Sequence, residues 1–270
     1  MQNVVQQHNI LYSCVGEQKQ GEEPFVPEHV LGLIIQGSID VFTENGIESL
    51  GKGSLSLVRK NQLIKAVKKP DTGKPFMGIY ILLDSNTLKK YCVEHSIETS
   101  RMYAGEPNIN LQLDPFMKGY FDSLMPYFDE PEKLTENLAR VKTIEAIELL
   151  LRNPLLKNFL FDFSEPHKID LEAYMNRYFS YNVPIIQFAT LTGRSLSSFK
   201  RDFAKLFSTS PEKWLQNRRL EMAYFLISQK KKRPTEVYLE VGFENLSHFS
   251  TAFKNKFGVN ASLLYNEIKP

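Results

Sequence analysis

Residues Thr235 to Phe257 read TEVYLEVGFENLSHFSTAFKNKF. Val237 and Val241 lie four apart and so share one face of a short helix. Gly242 then interrupts the pattern, where a left-handed turn between two helices needs a residue without Cβ. Asn245 follows as an N-cap, and Phe249, Phe253 and Phe257 recur every fourth residue behind it. The spacing predicts helix, tight turn, helix, with the phenylalanines buried. The opposite face carries Ser247, His248, Ser250, Thr251, Lys254 and Asn255. On its own, such a polar face would suit any surface helix.

A second copy changes that. Phe188 to Phe207, FATLTGRSLSSFKRDFAKLF, repeats the layout with Gly193 in the turn and Ser195 as the cap. Phe199, Phe203 and Phe207 form its stripe, while Ser197, Ser198, Lys200 and Arg201 point outward. Between the copies, Ser210-Pro211-Glu212 supplies an N-cap, a proline at the first helical position and a first-turn acid. That helix is expected to run to about Ser228. Its length of about 25 Å suffices to hold two helix-turn-helix units roughly one DNA turn apart.

The stretch RRLEMAYFLI, then VGFENLSHFSTAFKNKFG, with GRS and SSFKRDF upstream, resembles the AraC/XylS family of bacterial transcription regulators. The resemblance covers about the last 100 residues and runs through both copies. Three positions depart from the family pattern: Pro234, Tyr238 and Ala261. By position in the family motif, Ser197, Ser198, Lys200 and Arg201 face the groove in the first unit. Leu246, Ser247, His248, Ser250 and Thr251 do so in the second, with Lys254 behind them. The run Lys230-Lys231-Lys232-Arg233 follows a helix end, where cations either offset the helix dipole or reach phosphates.

The net charge of +2 hides an asymmetry. From Lys168 onward stand 16 of the 33 Lys and Arg and 9 of the 31 Asp and Glu, a net +7; the 17 bases and 22 acids before it give −5. A basic lobe joined to an acidic one suits a nucleic-acid binder with a separate regulatory domain. At 42% hydrophobic and 24% charged, the composition is that of an ordinary globular protein of about two domains. No stretch is apolar enough to span a membrane. MQNVVQQHNI lacks the cationic and apolar regions of a signal peptide, so a cytoplasmic protein is expected. Cys14 and Cys92 fit two free thiols in that compartment.

Residues 1 to about 84 read as β structure. Val30–Gln36, Ile39–Thr43, Leu55–Val58 and Phe76–Leu83 are apolar runs bounded by turn residues, and Asn45-Gly46 is a hairpin signal. The pattern PEHVLGLIIQGSIDVF, then GKGSLSLV, looks like the cupin-type jelly roll found ahead of many AraC-family DNA-binding domains. Ile34, Val41, Phe42, Leu57, Ile79 and Ile81 are expected to line it. A catalytic cupin needs several histidines and a carboxylate on one metal. His8, His29, His95, His167 and His248 include no His-x-His pair, so no metal, cofactor or catalytic residue is assigned.

From Ser85 the pattern turns helical: one helix to near Glu98, loop to about Asp114, and a second helix from Asp114-Pro115 to about Asp129. Leu134, Leu138, Val141, Ile144, Ile147 and Leu151 then make an apolar stripe that either covers the barrel or, as the resemblance implies, pairs two subunits. Asn153-Pro154 and Ser164 to His167 punctuate the chain before a helix over Lys168–Phe179.

The fold expected is a two-domain α+β chain: a cupin-like β domain over 1–113, helices over 114–166 that serve as a connector or as dimerisation helices, and an all-α double helix-turn-helix domain over 167–270. The function that the resemblance implies is that of a sequence-specific transcriptional regulator, expected to be an activator, controlled by a small apolar effector or a protein partner. Double-stranded DNA, a second copy in a homodimer and RNA polymerase are its expected partners. The alternatives are a protein-interaction module with a basic helical domain, and a cupin enzyme fused to a DNA-binding domain.

Overall fold

The computed structural model describes residues 2–17, 19–20, 25–43, 46–98, 103–164 and 168–268. Asn45, in the expected hairpin turn, and Glu165 to His167, in the expected linker, lie outside the described residues. The chain divides into two compact units, Met1–Ser164 and Glu165–Pro270.

The first unit is built on antiparallel strands. β1 (Gln2–Gln7) and β2 (Ile10–Val15) form a hairpin, and β3 (Lys19–Gln20) and β4 (Phe25–Val26) are short. β5 (His29–Gln36) and β6 (Ser38–Thr43) meet at Gly37, whose φ of +78° and 2.6 Å approach of a Cβ to the Lys69 carbonyl leave room only for glycine. β7 (Gly46–Leu50), β8 (Leu55–Val58), β9 (Gln62–Leu63), β10 (Lys65–Lys69), β11 (Phe76–Leu83) and β12 (Asn108–Leu111) follow. Six of them make a sheet in the order β1-β2-β11-β5-β8-β12, four make a second sheet β3-β10-β6-β7, and β4 pairs with β9. β12 runs through the segment expected to be loop up to Asp114. As the edge strand of the larger sheet it alternates exposed and half-buried residues, which leaves little apolar signal in the sequence.

The six expected lining residues divide between faces, because side chains alternate along a strand. Leu57, Ile79 and Ile81 are fully buried on the face covered by helices. Ile34 turns the other way, to a smaller core with Val15, Phe76 and Ile39, and Val41 shares the face of Ile39. Phe42, one residue on, is 37% exposed opposite Ile47.

Those covering helices are α1 (Ser85–Glu94), α2 (Pro115–Asp122), α3 (Pro126–Asp129), α4 (Glu136–Leu151) and α5 (Leu156–Leu160). Asp84 caps α1, which stops short of Glu98; Asp114 caps α2, with Pro115 in its first turn. The helix expected to reach Asp129 is broken between Ser123 and Met125. α4 buries Ala139, Thr143, Ala146, Ile147 and Leu150 and leaves Leu138 and Val141 exposed, 41% and 54%. The stripe read from the larger apolar residues is therefore split, and small side chains supply much of the contact face. His29 is fully buried in this core and accepts the Lys60 amide at Nδ1 (3.3 Å). Burial pushes it down to about 3, so it is neutral at physiological pH.

The second unit is all helical: α6 (Leu171–Tyr178), α7 (Ile185–Leu191), α8 (Leu196–Phe207), α9 (Pro211–Ser228), α10 (Pro234–Glu240), α11 (Leu246–Phe257) and α12 (Ala261–Ile268). Of the three departures from the family pattern, Pro234 stands in the first turn of α10, where its missing N–H has no helical partner to lose. Ala261 opens α12 and is buried, and Tyr238 packs half-buried on the core of the second helix pair. Among the described residues, no helix is long and apolar enough to cross a membrane.

Candidate nucleic-acid interface

α7 ends at Thr192, whose hydroxyl is buried and donates back to the Phe188 and Ala189 carbonyls (2.8 and 3.0 Å). Gly193 then takes φ +66° and turns the chain into α8. Ser195 caps α8 by accepting the Ser198 amide at 3.3 Å. Arg194, beside the turn, is not free for DNA. Its Nη1 donates to the Ile169 and Thr192 carbonyls (3.0 and 2.7 Å), and its Nε to Asp202 (3.2 Å). Phe199 and Phe203 are fully buried, while Phe207 is half-buried with its ring centroid 4.8 Å from that of Trp214. On the outer face Ser197, Lys200 and Arg201 are exposed and Ser198 is half-exposed.

The second pair repeats the plan. Val237 and Val241 are buried, and Gly242 takes φ +96°. The Asn245 carboxamide oxygen accepts the Ser247 and His248 amides at 2.8 and 3.1 Å. Phe249 and Phe253 are fully buried, and half-buried Phe257 lies 4.8 Å from Tyr224 between ring centroids. The outer face presents Leu246, Ser247, His248, Thr251 and Lys254 exposed, with Ser250 half-exposed. The same cap, glycine turn and three-phenylalanine stripe thus hold both faces open.

The charges on those faces differ. Lys200 lies 3.7 Å from Glu212, an exposed pair of small energetic value. Arg201 and Lys254 take no ion pair among the described residues. In the basic run, Lys232 donates to both Glu240 oxygens (2.9 and 2.8 Å) and Lys230 stands over the Phe225 ring at 5.8 Å. Lys231, at φ +56°, and Arg233, which precedes α10, are exposed. The run is therefore split between intramolecular partners and open cations.

α9 joins the pairs. Its 18 residues span about 27 Å at a rise of ~1.5 Å per residue. Trp214 meets the first pair near its start, and Leu220, Ala223, Leu226 and Ile227 meet the second beyond its middle. Two features had no reading in the sequence: α12, which packs on α9, and the half-buried guanidinium of Arg219. Among the described residues, no group of three or more His, Cys, Asp or Glu gathers to hold a metal ion.

Two family models and several known proteins match this sequence. Residues 188–264 match the family described as a helix-turn-helix domain, and residues 29–161 match the ExsA N-terminal regulatory domain. The HTH-type transcriptional regulator ExsA of Pseudomonas aeruginosa is 22% identical over 240 residues, which is 85% of this chain and 83% of that protein. The virulence regulon transcriptional activator VirF of Yersinia enterocolitica is 21% identical over 243 residues, 86% of this chain and 87% of its own. Among solved structures, a variant of ToxT from Vibrio cholerae aligns with a TM-score of 0.47 at 11% identity, covering 97% of this chain and 99% of that one. The chain thus carries a helix-turn-helix domain behind a domain of the ExsA regulatory type, and over most of its length it is similar to AraC-family transcriptional regulators.

Proposed function

We propose that α8 and α11 each enter the major groove of double-stranded DNA, so that one chain reads two adjacent segments and activates transcription under the control of the first unit. The observation that carries this reading is the repeated plan: two helices, each with an exposed polar face backed by two fully buried phenylalanines, joined by a single long helix. Ser197, Ser198, Lys200 and Arg201 are assigned base-edge contacts from α8. An arginine grips guanine through two hydrogen bonds, and Arg201 has no competing ion pair among the described residues. Leu246, Ser247, His248, Ser250 and Thr251 are assigned to α11, with apolar contact to thymine methyls falling to Leu246. Lys254, Lys231 and Arg233 are assigned to phosphates, a role that Lys230 and Lys232 share less because of Phe225 and Glu240.

No catalytic role is assigned to any residue, and the reading places the protein in the cytoplasm with its DNA. The first unit is assigned regulation by a small effector or a protein partner. Its α4, with Leu138 and Val141 exposed, is assigned to pairing two copies. RNA polymerase is the partner that activation requires.

Selection of bound sequences from a random DNA pool, followed by band shifts, tests the reading. The expected product is a site with two contacted segments, bound by the fragment 167–270 alone but without response to an effector. A fragment that folds yet binds no DNA at any concentration would remove the division of labour.

A further inference from the structure

At the middle of α9, Arg219 reaches across both helix pairs. Nε donates to the Phe179 carbonyl (2.8 Å) and Nη2 to the Tyr181 carbonyl (2.8 Å). Nη1 donates to Asn182 Oδ1 (3.2 Å) and to the Gly242 carbonyl (3.1 Å). Asn182 in turn donates from Nδ2 to Glu244 (2.6 Å). Phe179 to Asn182 connect α6 to α7 in the first pair, whereas Gly242 and Glu244 lie in the turn that precedes α11. That turn sits so close to the connection that a Cβ on Gly242 would lie 2.4 Å from the Ser180 carbonyl oxygen. Burial pushes the guanidinium down to about 10, so it remains charged at physiological pH and its donors stay charge-assisted.

We propose that Arg219 is the positioning residue that sets the spacing between the two recognition helices, and with it the spacing of DNA segments the protein accepts. Each pair packs on a different part of α9: the first by Phe203 and Phe207 on Trp214, the second by its core on Leu220 to Ile227. Either pair can rock about that helix unless something ties one directly to the other. The Arg219 guanidinium makes that tie, holding at once main-chain oxygens of the connection that leads into the first pair and of the turn within the second. Linking two DNA readers multiplies affinity only while their geometry matches the site. The inference rests on the two-segment reading, since spacing has meaning only if both helices engage DNA.

The test uses the full chain and a two-segment site obtained by selection, the same site with one or two base pairs inserted between segments, and each segment alone. Arg219→Lys keeps the cation and the apolar stem but loses the fork that reaches several acceptors. The expected result is a loss of at least about tenfold on the intact site, a small part of the ~10²–10⁴ that linkage can supply, with single-segment binding unchanged. Inserted base pairs should cost the variant less than they cost the parent. An equal loss on single segments and on the intact site, or a spacing profile identical to the parent's, would overturn the role. Spin labels at Lys205→Cys and Asn255→Cys, with Cys14 and Cys92 changed to Ser, give a second measurement without DNA. The distance distribution should broaden on Arg219→Lys, and an unchanged width would also overturn it. A parent protein indifferent to inserted base pairs would remove the two-segment reading itself.

Discussion

Phe253→Ala offers the most direct test of the second helix pair. Phe253 is fully buried, with ring centroids of Phe257, Phe249 and Tyr224 at 4.8, 5.6 and 6.2 Å. Truncation removes the ring from the centre of that row, beside the fully buried Phe249. The expected cost is about 3–5 kcal/mol, a large share of the ~5–15 kcal/mol that holds a typical domain folded. Trp214 is the single tryptophan of the chain and packs on Phe203 and Phe207 of the first pair. Its fluorescence in urea therefore asks whether damage to one pair is felt in the other. Because α9 is shared by both cores, one cooperative transition is expected. With a slope of about 1.5 kcal/mol per molar urea, the midpoint should fall by about 2–3 M. Thr251→Ala, on the exposed face, should shift stability by no more than about 0.5 kcal/mol. A Trp214 transition unmoved by Phe253→Ala would refute the argument that the two pairs unfold as one body.

Other outcomes follow from the same geometry. Arg201→Ala should weaken specific binding by about 1–3 kcal/mol and relax preference at one base position; the same loss on random DNA would move Arg201 to a phosphate role. Replacing Lys231 and Arg233 by Ala should lower the slope of log K against log salt by about two, whereas replacing Lys230 and Lys232 should change it less. Val141→Asp should convert a dimer to a monomer in sedimentation without unfolding the first unit, since Val141 is 54% exposed; a monomeric parent at micromolar concentration counts against pairing through α4. Gly242→Val should abolish DNA binding by disrupting the turn, because φ +96° and the Ser180 carbonyl both exclude a branched side chain, and full binding would contradict that close approach.

The helix pairs were legible because their signals are local. A cap, a glycine and phenylalanines at every fourth position can be read within a window of some twenty residues, and Ser210-Pro211-Glu212 marked the start of α9 to the residue. The four strands with dense apolar runs were legible for the same reason. β1, β7, β10 and β12 were not, since QNVVQQ, GIESL, KAVKK and NINL carry few apolar side chains and owe their pairing to neighbours elsewhere in the chain. α4 has apolar residues on more than one face, so the sequence could not choose which face the sheet would cover. The face that is buried is the one carrying Ala139, Thr143 and Ala146 with Ile147 and Leu150. Arg219 was invisible for a deeper reason: three of its four acceptors are carbonyl oxygens, which every residue possesses.

That same fact governs how the clasp tolerates change. A clasp that grips peptide oxygens is largely blind to the letters of the segment it grips. Phe179 and Tyr181 present those oxygens whatever their side chains, within the limits of their own packing. What the contact measures is the path of the chain. A single inserted or deleted residue between α6 and α7 would carry the oxygens out of register with a fixed guanidinium, where several substitutions would not. The segment is thus ruled by its length more than by its composition, and variants that alter its spelling and variants that alter its count should fall into two separate classes.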